Sequence, residues 1–175
     1  MSDSYPILYI SILLGLLSFV AIFLFREIIK SRRTESRYSK LQEKLKKQKG
    51  TAQEYYELAG IFLDKKLFVQ AVNLLQKGLK AEKDLGDENK ALMYNALGYA
   101  YFSQEQYDIA IRNYKEAVKL CPGYTVALNN LGNVYEKKQL MAKALESYKQ
   151  ALESEPKNKV AKKRVESLEK RVVIS

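Results

Sequence analysis

Laid against itself at an offset of 34 residues, the second half of this chain repeats. Leu97-Gly98, Ala110, Tyr114, Ala117 and Pro122 return as Leu131-Gly132, Ala144, Tyr148, Ala151 and Pro156. An earlier, more divergent copy reads Leu58-Ala59, Phe62, Ala71, Leu75 and Gly78, and extra residues around Gly86, Asp87, Glu88 and Asn89 separate it from the second. A fixed period of this length marks a stacked array, because each unit is one supersecondary element that cannot bury its apolar face alone. The three prolines fall at positions 6, 122 and 156. The units are therefore long helices, and Pro122 and Pro156 stop the second helix of their repeats.

The expected fold is all-α: three helical hairpins over 52–85, 91–124 and 125–158, with a C-terminal capping helix and basic tail over 159–175. Small residues at recurring places let the two helices of a hairpin approach closely, and rings fill the remaining gaps. The first unit has Lys83 where the others have Pro, so its second helix is expected to run on toward Gly86. After Pro156, Val160, Arg164, Val165 and Leu168 mark a last amphipathic helix, which an array needs as a terminal cap.

The other end of the chain obeys a different rule. Nineteen residues from Ile7 to Phe25 carry no charge, with only Ser11, Ser18 and Tyr9 relieving the apolar run. As a helix they would span about 28 Å, close to the thickness of a bilayer's hydrocarbon core. A soluble core helix would show a polar stripe, and this segment has none. A cleaved secretory signal would need a basic leader and a small-residue cleavage site; here Asp3 precedes the apolar run and Arg26 closes it. The expectation is a transmembrane anchor over 7–25.

Charge divides unevenly along the chain. Residues 1–25 sum to −1, 26–50 to +7, 51–158 to zero and 159–175 to +4. The +7 segment is expected to be a juxtamembrane stalk, with a short amphipathic helix around Tyr38, Leu41 and Leu45. Arg26, Lys30, Arg32, Arg33, Arg37 and Lys40 follow the apolar run directly, so the positive-inside rule puts the C-terminal domain in the cytoplasm or the equivalent plastid stroma, with the N-terminus lumenal or outward. Each such side chain near an anionic leaflet is worth about 1 kcal/mol, making membrane lipid an expected partner. Nucleic acid is not expected, because no basic face with stacking aromatics lies on the repeats.

No enzyme is expected either. The chain has no histidine, the commonest general base and zinc ligand. Cys121 is the single thiol and reads as a small apolar packing residue beside Pro122. No phosphate-binding glycine loop and no metal-ligand spacing occur, so neither a cofactor nor a small-molecule substrate is anticipated.

The repeated positions resemble the tetratricopeptide (TPR) family, whose unit carries a large residue at position 4, Leu-Gly at 7 and 8, an aromatic at 11, Ala at 20, an aromatic at 24, Ala at 27 and Pro at 32. Position 11 here is Phe62, Tyr101 and Tyr135. The resemblance implies a protein-binding groove lined by the first helix of each repeat, with Tyr56, Asn95, Tyr99, Phe102, Asn129, Asn130 and Asn133 as candidate contact residues. Asparagines at i and i+4 would hold a partner's backbone, and the rings would grip its side chains. Some family members clamp chaperone carboxylates with basic residues at positions 2, 5 and 6. Here Tyr56, Leu92, Ala96, Val126 and Asn130 stand at such positions, so that clamp is missing.

The whole chain is similar to the small single-span tetratricopeptide proteins of cyanobacteria and algal plastids tied to photosystem I assembly and stability. That likeness rests on Tyr5-Pro6-Ile7-Leu8-Tyr9, on Phe25-Arg26, on the run from Glu88 to Tyr99 and on Val126-Ala127-Leu128-Asn129-Asn130-Leu131. It implies a thylakoid scaffold with photosystem I subunits or assembly intermediates as partners. Two alternatives stay open: a membrane receptor for precursor proteins or chaperones, and a membrane-tethered regulatory subunit of an enzyme. The register itself is testable: Ala110→Leu or Ala144→Leu should each cost about 1–3 kcal/mol by overpacking a hairpin, read as a lowered melting temperature of residues 51–175.

Overall fold

A computed structural model describes residues 4–82 and 84–172 of the chain. Among them it contains eight helices and no strand: α1 Ser4–Lys47, α2 Ala52–Asp64, α3 Phe68–Ala81, α4 Asp87–Ser103, α5 Tyr107–Leu120, α6 Thr125–Lys137, α7 Met141–Ser154 and α8 Lys159–Val172. The chain divides into two units, Met1–Lys46 and Lys47–Ser175.

The described residues of the first unit lie in one uninterrupted helix, α1, of 44 residues, about 66 Å long at 1.5 Å per residue. The apolar run and the basic stalk thus share a single rod, where the sequence suggested a span followed by a separate short helix. The physical reason is plain: from Arg26 to Lys47 there is no Gly or Pro to break the ladder. Leu8 to Phe25 leave every large apolar side chain exposed, and the helix is long and apolar enough to cross a membrane. Tyr38, Leu41 and Leu45, the expected amphipathic face, are half-buried.

The second unit is the array. α2 pairs with α3, α4 with α5 and α6 with α7; the hairpins stack through α3 on α4 and α5 on α6, and α8 packs on α7. α2 begins with a capping box, in which the Thr51 hydroxyl accepts from the Glu54 amide while the Glu54 carboxylate accepts from the Thr51 amide. α3 ends at Ala81, short of the run toward Gly86 expected from the sequence. Glu82 leaves the helix in an extended conformation, and its carboxylate accepts a 2.9 Å bond from the Ala52 amide at the start of α2. Leu85, just beyond, is buried in the core. Both interactions reward an early stop. Lys83 itself, and the last three residues of the 159–175 segment, lie outside the described residues.

Close approach within a hairpin has a definite cause. A Cβ placed on Gly98 would lie 2.5 Å from the Tyr114 ring, and one on Gly132 would lie 2.6 Å from the Tyr148 ring. Each ring therefore rests against a bare glycine Cα sixteen positions earlier. In the first hairpin the same two places hold Ala59 and Leu75, both fully buried; a methyl group is admitted where the flat ring is replaced by a narrower aliphatic chain. The core continues into α8 through Ala161, Val165 and Leu168, while Val160, which the sequence placed on the same stripe, is exposed.

Each hairpin turns on one non-glycine residue in the left-handed region: Lys66 at φ 59°, Glu105 at 59° and Gln139 at 60°. All three occupy position 15 of their repeats. The following amide bonds back five residues, Leu67 to the Phe62 carbonyl, Gln106 to Tyr101 and Leu140 to Tyr135, each at 2.8–2.9 Å. This is a Schellman closure, which satisfies carbonyls that a helix end leaves open.

Gly98→Ala should destabilise the chain by about 1–3 kcal/mol in urea unfolding, because the ring has nowhere to go. Combining it with Tyr114→Leu, which copies the Ala59 and Leu75 pairing, should cost less than the sum of the two single changes by about 1 kcal/mol.

Candidate protein-binding groove

The candidate residues sit on the first helices of the repeats, α2, α4 and α6, at positions 5, 6, 9 and 12. Tyr56 is half-buried against the core residues that include Ala59, Leu75 and Met93. Tyr99 remains 45% exposed and meets Phe68 edge-on, with ring centroids 6.4 Å apart. The Phe102 ring lies 5.7 Å from that of Tyr107 and packs against the core residues that include Ala110 and Tyr114. Asn133 is half-buried on α6.

Three of the asparagines are engaged with one another and with neighbouring helices. The Asn130 amide donates to the Asn95 carbonyl oxygen at 2.9 Å, bridging α6 to α4. The Asn95 amide donates in turn to the Tyr124 hydroxyl at 3.3 Å. One repeat later the pattern recurs, the Asn129 amide donating to the Asn158 carbonyl oxygen at 3.3 Å. Asn158 also caps α8, its side-chain oxygen accepting from the Ala161 amide at 3.0 Å. An asparagine has two N–H donors and one carbonyl oxygen. The ladder consumes part of that capacity, so the asparagines brace neighbouring helices against one another. The Asn129 carbonyl oxygen is buried with no partner among the described residues.

Tyr124 and Asn158 were not among the sequence candidates. A signal for them existed: the offset of 34 that relates Asn95 to Asn129 also relates Tyr124 to Asn158, so position 5 and position 34 recur as a bonded pair. The Tyr124 phenol is pushed above its ordinary value, chiefly by burial and then by neighbouring Tyr56 and Cys121, while the Asn95 bond pulls it back. It stays a neutral hydroxyl, able to accept from Asn95. Between α2 and α4 a recess of about 70 Å³ opens, lined in part by Gln53, Tyr56, Asn89 and Leu92.

Arg26, Lys30, Arg32, Arg33, Arg37 and Lys40 all lie on α1 and are exposed. They follow the apolar run without a break in the helix.

Removing one rung tests whether the ladder is structural. Asn130→Ala should cost about 0.5–1.5 kcal/mol in urea unfolding, and Asn95→Ala with Asn130→Ala should cost less than the two single changes added together.

Comparison with known proteins places these features in a family. Residues 98–139 match the model of the TPR repeat and residues 125–158 that of the tetratricopeptide repeat. The solved structure of MamA superposes with a TM-score of 0.68 at 22% identity, covering 79% of this chain and 80% of that one. The first TPR of Spaghetti (RPAP3), solved with an HSP90 peptide, gives 0.63 at 21% identity over 70% of this chain and 93% of its own. These two likenesses establish the fold. A chloroplastic relative of Arabidopsis thaliana, the tetratricopeptide repeat domain-containing protein PYG7, is 36% identical over 94% of this chain, which spans 54% of that protein's length. The ycf37 protein of Cyanophora paradoxa is 38% identical over 94% of this chain and 93% of its own, and that of Guillardia theta 34% identical over 99% and 97%. With likeness running through nearly the full length of both ycf37 proteins, α1 included, the chain belongs to the ycf37 family of tetratricopeptide proteins.

Proposed function

We propose that this chain is a membrane-anchored scaffold of the thylakoid, holding photosystem I subunits or an assembly intermediate in its groove while assembly proceeds. One observation carries the reading: a single chain joins a helix apolar enough to cross a membrane to a tetratricopeptide groove, and its family likeness covers both. The chloroplastic relative supports a plastid-type setting. The basic residues from Arg26 to Lys40 support a stromal or cytoplasmic groove and a lumenal N-terminus. Photosystem I as the partner follows from the resemblance of the whole chain to single-span tetratricopeptide proteins of that assembly.

Binding is the mechanism. A groove tethered to the same membrane as its partner meets that partner at high effective concentration, so modest contacts suffice to hold it. The ladder of Asn95, Asn130 and Tyr124 keeps the groove in shape beforehand, which lowers the ordering cost on association.

The tagged full chain, purified from detergent-solubilised membranes, should bring down photosystem I subunits and should resist extraction by alkaline carbonate. A deletion strain should accumulate less photosystem I. Absence of those subunits from the purified material, together with unchanged photosystem I in the deletion strain, defeats the proposal; translocating precursors or an enzyme in their place would favour the receptor or the regulatory subunit.

A further inference from the structure

α8 does more than close the core. Its buried residues Ala161, Val165 and Leu168 stand at the same repeat positions as Ala127, Leu131 and Val134 of α6, which are also buried. α8 is therefore in register as the first helix of a fourth repeat, and its groove-side positions can be read off by the same offset of 34. Position 2 gives Leu92, Val126 and Val160, which are 36%, 50% and 58% exposed: an apolar ladder crossing α4, α6 and α8 that the core does not use.

Positions 6 and 13 run in a graded order from one end of the array to the other. α2 supplies Glu57 and Asp64, α4 Ala96 and Ser103, α6 Asn130 and Lys137, and α8 Arg164 and Arg171. Position 5 follows the same trend, ending on Lys163 after Tyr56, Asn95 and Asn129. Arg164 reaches α6, its guanidinium 3.6 Å from the Glu136 carboxylate, which confirms that this side of α8 faces the preceding repeat. Residues 51–158 carry no net charge, whereas 159–175 carry +4. The basic wall is thus a local feature of α8, not a general property of the solenoid.

We propose that α8 forms the fourth wall of the groove and gives it a direction, seating a segment of a partner protein whose apolar side chains lie on Leu92, Val126 and Val160 and whose acidic end lies against Lys163 and Arg171. The proposal rests on the reading of the solenoid as a protein-binding groove. Complementary charge fixes the orientation of the segment and suppresses the reversed one, because an acidic end placed over Glu57 and Asp64 meets like charge. The arrangement differs from a carboxylate clamp, since the three complete repeats hold no basic residue at positions 2, 5 or 6.

The test uses the full chain in detergent micelles and a fluorescent synthetic peptide with a leucine-rich centre, glutamates at one end, lysines at the other and a benzophenone at the glutamate end. Irradiation should place the crosslink in α6 and α8. Lys163→Glu with Arg171→Glu, both exposed positions, should weaken binding about tenfold and move the crosslink toward α2, with the circular dichroism unchanged. Val126→Asp should weaken binding without moving the crosslink. Equal crosslinking to α2 and α8, or unchanged affinity after charge reversal, overturns the proposal. So does protection of α8 from hydrogen exchange by phosphatidylglycerol nanodiscs with none from the peptide, since the basic face would then serve a lipid surface. If photosystem I subunits still co-purify with the charge-reversed chain, the scaffold reading survives and this one does not.

Discussion

The second and third hairpins depend on a ring packed against a glycine. Tyr114 on Gly98 and Tyr148 on Gly132 set how closely the two helices of their hairpins approach. Both rings are almost fully buried, and burial of a side chain this large is worth a few kcal/mol. The far end of Tyr148 extends the effect: its hydroxyl donates to the Glu136 carboxylate at 2.7 Å, and the same carboxylate pairs with Arg164 on α8. Burial first, and then the Glu136 carboxylate, hold that phenol above the ordinary tyrosine range, so it remains a donor. One side chain thereby closes a hairpin and helps to dock the helix after it.

Much of this was legible in the residues because it repeats. Leu97-Gly98 and Leu131-Gly132, with Ala110 and Ala144, announce hairpins at an offset no single helix would impose, and the uncharged run after Pro6 announces itself by composition alone. What was not legible depends on partners distant in sequence. The early end of α3 follows from Glu82 reaching back to the Ala52 amide and from Leu85 entering the core, and neither neighbour is local. The turns are a similar case. A left-handed residue at a helix end is usually announced by glycine, yet Lys66, Glu105 and Gln139 occupy those places. The bond from the next amide back to the fifth preceding carbonyl offsets a conformational cost of about 1–2 kcal/mol.

The asparagines were legible as positions but not as a network. Asn95, Asn129 and Asn130 read on their own as open amides, since a helix surface in sequence gives no hint of what lies across from it. Tyr124 and Asn158 supply the missing half, each at the N-terminal edge of the following helix. Phe102 shows the same dependence: Tyr107, five residues on and across the turn, brings its ring within 5.7 Å.

A groove whose amides are already bonded recognises partners differently from one whose amides are open. Open asparagines would bind the backbone of almost any extended segment and would pay to order themselves each time. Bonded ones contribute rigidity, and in the groove proposed for this chain discrimination passes to the side chains that remain accessible, above all Tyr99, which is 45% exposed. Aromatic anchors on a preformed surface concentrate binding energy in a few contacts. That suits the proposed scaffold, because a surface that is already ordered does not have to refold on association.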